Sequence, residues 1–471
     1  MSLRTRQLHT PSCLHRTLTQ SRRLPTRSIP CASVYQEQEK RTPKLGRGKS
    51  KATPSQQTPS PKRAEILEDN VPWYKRAYIN VTGFPFPLGP LLSRRTIRYE
   101  VEEGCIWTFE QEQSLVGSQV NTTIRMTAVK LSSGGLLLYS PVAPTQECVE
   151  LIQEIGCPVE YILLATFAYE HKIYCAPMSR KFPDAQVWTS PGQWSWPLSL
   201  PPQLFGIFPK GVLIDRDESV PWAADLEQRT YTGRVSNKFV GVGPFSEVAL
   251  YHKKSRTVMV TDAVVYIPSM PPQVINEKAL MSVGGPLPGA VVIFSKGEGG
   301  KSLDENGKQP PPPEDPFQRL ALGWRRMALQ VLFFVPHDLV NPNESFREIS
   351  NKLLVSPVLR VLVYPKAVEE GRRWVNSIVD EWDFRQIIPA HFAAPIPATP
   401  EDLRLAFSFL YEGEDVKDVP KREADGFLQK LFQRVRRTKS VARTGMEYDP
   451  RDLRVLNGLD SILKKTKVVN S

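Results

Sequence analysis

Leu163 to Tyr174 reads LLATFAYEHKIY, an apolar run that breaks into Tyr169-Glu170-His171-Lys172. An acid and an imidazole stand side by side where a strand ends and a helix begins. Carboxylate and imidazole are donors suited to a divalent ion, so the pair could be half of a metal site. It also suits an ordinary helix start, with Glu170 favoured by the positive N-terminal dipole. Two further donors close strand-like runs: Asp262 follows VMVT, and His391 follows IIPA. Each has a structural alternative, a turn cap for Asp262 and a core histidine for His391. His252 in LYHKKS and His337 in VPHDLVNP read as turn residues, and His9 and His15 lie in the N-terminal segment.

Other chemistry is excluded by spacing. SKGEGGKS, Ser295 to Ser302, follows the strand-like AVVIF, yet serine stands where a phosphate-binding loop needs its first glycine. The stretch then runs into LDENGKQPPPP, which cannot form the helix whose N–H groups would meet a phosphate. Nucleotide binding is rejected. Cys105, Cys148, Cys157 and Cys175 show no C-x-x-C spacing and read as reduced thiols; Cys13 and Cys31 lie near the N-terminus. Trp194 and Trp196 sit among prolines as pocket lining or, more commonly, packed loop anchors.

The elements that must position the donors begin near Val71. SSGGLLLYS pairs a Gly-Gly turn with a buried-strand run, Leu136 to Tyr139. In PTQECVELIQEIG, apolar Cys148, Leu151, Ile152 and Ile155 stand at helical spacing, started at Pro144-Thr145 and stopped by Gly156. PVEYILLAT is the next strand, and Gln186 to Thr189 another, so the order is βαβαβ with helical crossovers. FSEVALYHKKSRTVMVTDAVVYIP reads as two strands joined by a Lys-Lys-Ser turn, KAVEEGRRWVNSIVDEW as an amphipathic helix, and FRQIIPAHFAAPI as a last strand.

Charge separates the ends from the body. Residues 1–63 hold 14 Lys and Arg against 2 acids, leaving 47 of the 61 basic and 47 of the 49 acidic residues to the rest. The body is neutral and makes no electrostatic case for nucleic acid. The Arg-, Ser-, Thr- and Pro-rich start, with no acid before Glu37 and small residues in SIPCAS, resembles a plastid transit peptide; a mitochondrial address and a disordered basic tail are the alternatives. A Pro/Ser/Lys-rich linker follows to residue 63. Apolar runs such as ALQVLFFV fall well short of the ~18–20 residues a membrane span needs. A flexible insertion is expected near residues 296–316. Residues 412–471 form a charged, partly helical tail in which FLQKLFQRVRRTKSVAR makes an amphipathic basic helix. That helix would dock on the body or, as a weaker reading, touch an anionic membrane surface.

NVTGFPFPLGP, IWTFEQEQ, IRMTAVKLSSGGLLLYSPVAPT, TFAYEHK and SRKFPDAQVW resemble a plant and algal family with a domain of unknown function, DUF4336, of the metallo-β-lactamase-like superfamily. The resemblance covers about Val71 to Tyr411. It implies an α/β (α+β) fold over residues 64–411, an αββα sandwich with metal ligands on loops along one edge. The superfamily's H-x-H-x-D-H run falls on Thr166, Phe167, Ala168, Tyr169, Glu170 and His171, and a further histidine position on Val242. Alanine and valine offer no donor and threonine a poor one, so the first metal site is expected to be lost. The second set falls on Glu170, His171, Asp262 and His391, two imidazoles and two carboxylates for one Zn, Fe or Mn, or for no metal at all. The first strand ends in Ser140-Pro141, where active relatives usually place an acid.

Two function classes follow. One is a plastid hydrolase-like protein in which these four residues hold one metal that activates water. The other is a metal-free binding or assembly module of the same fold. Redox chemistry at the metal is a weaker third.

Overall fold

A computed structural model describes residues 71–79, 88–115, 118–193, 200–233, 245–288, 303, 308–411 and 448–465. The transit-peptide-like segment, the Trp194/Trp196 loop, Val242, the phosphate-loop-like stretch and the basic helix expected at 427–443 lie outside the described residues.

The first sheet contains β1 (Leu88–Gly89), β2 (Thr96–Glu102), β3 (Ile106–Leu115), β4 (Asn121–Lys130), β5 (Leu136–Tyr139), β6 (Val159–Leu164), β7 (Gln186–Thr189) and β8 (Pro209–Val212). Its order is β1-β3-β4-β5-β6-β7-β8, with β2 also on β3. From β5 to β8 the pairing is parallel, as the alternation of strands and helices requires. The second sheet runs β15-β14-β11-β10-β9, from β9 (Leu226–Gly233), β10 (Phe245–His252), β11 (Thr257–Met259), β14 (Gln386–Ile388) and β15 (Ile396–Pro397). β12 (Val265–Tyr266) pairs with β13 (Leu353–Leu354) apart from both.

Alternation along the strands builds the layers. In β5, Leu136 and Leu138 face the helices Gln146–Gln153 and Tyr169–Lys181, through Cys148, Ile152, Tyr174 and Met178. Leu137 and Tyr139 face the second sheet with Leu163, meeting Val248, Leu250, Met259 and Ile388. On the far side, Ala249 and Tyr251 pack with Trp374, Val375 and Ile378 of the helix Val368–Val379. Strands covered on both faces read as unbroken apolar runs, which is why LLLY and YILLA show no polar alternation. The result is helices, sheet, sheet, helices: the αββα order that the resemblance implies.

Local chemistry sets the boundaries. The Thr145 hydroxyl accepts from the Cys148 amide and starts its helix, and Gly156 just beyond the helix end adopts a φ of +77°, a conformation favoured by glycine. The helix Pro316–Phe333 forms a satellite core with Trp324, Met327 and Leu332. Just before it, Gln309 bonds both backbone groups of Leu287, tying the described end of the expected insertion to the body. The described tail docks as well. Tyr448 is buried in the satellite core and donates to the Val355 carbonyl, while Asp460 of the helix Arg454–Lys465 pairs with Lys366 at 2.7 Å. The four described cysteines are free thiols, and no helix among the described residues is long and apolar enough to cross a membrane.

Candidate metal centre

Parallel pairing brings the donors to one edge. β11 and β14 run side by side, so Asp262 and His391, each three residues beyond its strand, emerge together. β5 and β6 are likewise parallel, placing Ser140-Pro141 and Glu170-His171 beyond their ends. β4 is antiparallel to β5, so Thr123 near its start reaches the same edge. Glu170 and His171 occupy the first turn of the helix Tyr169–Lys181, with Ala168 at its N-cap.

Glu170, Asp262 and His391 converge, each offering a ligand atom within 4.8 Å of the others. His391 Nε2 stands 3.2 Å from Asp262 Oδ1 and 3.6 Å from Glu170 Oε1. Its Nδ1 lies 2.8 Å from the Thr123 carbonyl oxygen. A carbonyl only accepts, so Nδ1 carries the proton and donates, which directs Nε2 at the two acids. His171 is oriented the same way, its Nδ1 donating to the Pro141 carbonyl at 3.1 Å. Its ring is buried 5.9 Å from that of His391, and its Nε2 has no hydrogen-bond partner. His171 therefore stands beside the three residues that converge within 4.8 Å, with an open nitrogen. At the Ser140-Pro141 strand end it is the Pro141 carbonyl oxygen that faces the site, on His171 Nδ1.

Thr166, at a position where the resemblance expects a metal-binding histidine, is already engaged. Its hydroxyl accepts from the Ala168 amide at 3.0 Å and donates to Asp262 Oδ2 at 3.5 Å. Asp262 is thus held at both oxygens. The next strand end is held too: the Ala390 amide donates to the Thr261 carbonyl, and the Phe392 amide to the Thr123 hydroxyl at 2.6 Å. Phe392 takes a φ of +57°, an unusual conformation for an aromatic residue that turns the chain directly after His391.

Charge and burial oppose one another here. Burial would lower His391, but its bonds to Asp262 and Glu170 and their charges raise it to about 10. Burial would raise Glu170, but its bond to His391 and the charge of that ring bring it down to about 2. Burial, together with the charge of His391, lowers His171. One cation between two carboxylates makes a paired ionic cluster without any metal.

Residue types alone did not mark Glu247. It is fully buried in β10, and its Oε1 accepts from the Thr261 and Ala263 amides at 2.7 and 3.2 Å. Burial and the facing Asp262 charge raise it to about 8. Arg125 was equally silent. Buried in β4, it bonds Glu110 at 2.6 Å and donates to the carbonyls of Pro389 and Phe392, on either side of His391. Both sit in stretches whose patterning reports a strand and nothing more.

A second carboxylate–imidazole group differs in kind. His337 Nδ1 meets Asp452 Oδ1 at 2.8 Å, and the neighbouring Asp449 is bonded at both oxygens by Arg451. This is a hydrogen-bonded clasp between body and tail, and the Asp452 bond raises His337. His252 closes the turn after β10, its Nδ1 2.7 Å from the Ser255 hydroxyl.

Two solved structures are similar to the chain. A metal-soaked flavodiiron core from Synechocystis sp. PCC6803 matches at 10% identity and a TM-score of 0.33, over 68% of this chain and 62% of that one. A fragment of a diflavin flavoprotein A 5 from Nostoc sp. PCC 7120 matches at 9% identity and a TM-score of 0.35, over 67% of this chain and 95% of that one. No curated protein matches. The family model of a domain of unknown function, DUF4336, matches residues 103–344 and 339–409, which take in the first sheet from β3 to β8, the whole second sheet and the donor cluster, and the chain belongs to that family.

Proposed function

We propose that Glu170, His171, Asp262 and His391 hold a single divalent metal on a hydrolase-like scaffold. The observation that carries this reading is the state of the two histidines. Each gives its Nδ1 proton to a backbone carbonyl, and the buried His171 Nε2 is left as a lone pair without a partner. Orienting the outer nitrogen in this way is how proteins prepare imidazole as a ligand. The spacings also fit: ligands at ~2.0–2.2 Å in a tetrahedral zinc site lie about 3.4 Å apart, and those around His391 Nε2 are 3.2 and 3.6 Å. Asp262 and Glu170 would balance a 2+ charge. The reading is limited to one ion because Ala168 has no donor atom and the Thr166 hydroxyl is engaged.

Such an ion supplies a Lewis acid that lowers the pKa of a bound water. The chain's own contribution is to orient the ligands, through Thr123 and Pro141 on the imidazoles and Thr166 on Asp262. The metal-free binding module is the second reading. It is favoured by the proton on His391, which already neutralises much of the carboxylate charge.

Metal content decides between them. Full-length protein purified without chelator or tag-borne metal is expected to carry about one Zn, Fe or Mn by elemental analysis, with loss of metal but retained folding in His171→Ala. A metal-free wild type, even after reconstitution, would leave the binding module. Delivery to a plastid is proposed from the composition of residues 1–63. Deleting them should abolish import into isolated plastids, and unchanged import would refute the address.

A further inference from the structure

The geometry points to Glu247 as the positioning residue that joins the two halves of the donor cluster. The inference rests on the single-metal reading, but it has a consequence that needs no metal. Residue 247 belongs to β10 in the second sheet, whereas Glu170 and His171 follow β6 in the first. Its backbone bridges to Thr166, and the next amide, Val248, donates to the Ala165 carbonyl at 2.8 Å. β10 therefore holds the segment leading to Glu170 and His171. Its side chain holds the other half. The same carboxylate oxygen accepts from Thr261 and Ala263, the amides on either side of Asp262.

Clamping both flanking amides restricts the turn that aims the Asp262 carboxylate at His391. Burying a carboxyl group is unfavourable unless it gains bonds of this kind. Glu247 supplies two at a position where a strand could have carried valine. Glu247 is not among the donors that converge within 4.8 Å, and its second oxygen is buried and unpartnered. Glutamine preserves the accepting oxygen. Alanine removes it, and aspartate withdraws it by one methylene.

The test compares full-length wild type, Glu247→Ala, Glu247→Gln and, as a stability control, Ile378→Ala from the outer helix core. Zn(II) affinity by chelator competition is read beside amide exchange at residues 261–263. Glu247→Ala is expected to bind Zn(II) about 10–100-fold more weakly, the usual loss for a group that orients ligands, with faster exchange of the Thr261 and Ala263 amides. Glu247→Gln should stay near wild type in both, and Ile378→Ala should lose stability without losing affinity. If Glu247→Ala does not fold, Glu247→Asp takes its place with the same expected direction. Unchanged affinity and exchange in the Ala or Asp variant, or damage in Gln equal to that in Ala, would overturn the role. A wild type that takes no Zn(II) would reject the metal reading alone. Exchange at 261 and 263 would then decide the positioning role by itself.

Discussion

Arg125→Ala is expected to destabilise the fold by about 3–5 kcal/mol, the cost of breaking a buried ion pair by removing one partner. Arg125 is 1% exposed and Glu110 5% exposed, so the variant strands a carboxylate away from water. It also removes the donors to the Pro389 and Phe392 carbonyls, leaving two further acceptors short of a partner. The bonds span some 264 to 267 residues of sequence and tie β4 of the first sheet to the His391 loop of the second. Arg125→Lys should recover only part of the loss, because an ammonium cannot reproduce the planar fork that serves three acceptors. Urea unfolding of the three proteins checks this, and a change below about 1 kcal/mol for Arg125→Ala, the size of an ordinary surface effect, would contradict it.

His391→Ala is expected to abolish metal uptake and to destabilise the metal-free protein by about 2–4 kcal/mol near pH 5.5, somewhat below the cost of a fully buried pair because the partners are partly exposed. The variant leaves Glu170 and Asp262 facing one another without their cation. The pH dependence follows from the two shifts. Glu170 is depressed from 4.5 to about 2, so its stabilisation is present above pH 4.5 and is lost as pH falls through about 2. His391 is raised from 6.5 to about 10, so its stabilisation is complete below pH 6.5 and is lost as pH rises through about 10. The difference between wild type and variant should therefore be largest between about pH 4.5 and 6.5 and shrink on both sides. Urea unfolding in chelator at pH 2.5, 5.5 and 10 measures it. A difference that stays constant across that range would mean that His391 acts through packing rather than charge.

Where sequence reasoning succeeded, the information was local or repeated along the chain. Thr145 and Gly156 bound a helix because capping and left-handed conformation are properties of single residues. The unbroken apolar runs of β5 and β6 announced strands covered on both faces. Glu170, Asp262 and His391 were set together by the family resemblance; each lies a few residues beyond a strand, and the ends of parallel strands share an edge. The resemblance grouped His171 with them, and folding gives the two neighbours different surroundings. On a helix, successive side chains diverge by about 100°, and His171 turns inward to Pro141 while Glu170 meets His391.

Glu247 and Arg125 left no trace of this kind. A glutamate or arginine within a strand is most often solvent-facing, and no rule of spacing tells which will be buried opposite a distant turn. The pairing of Tyr448 with the satellite core has the same origin, since a lone tyrosine in a charged tail becomes a core residue only when another helix waits for it. The residues alone were enough for the order of strands and helices and for the neutral body, because each depends on composition, propensity and periodicity within one segment. The tautomers of the two histidines, the contacts of His391 with Glu170 and Asp262, and the buried side chains that brace them came from folding, because each depends on burial and on partners up to 269 residues away.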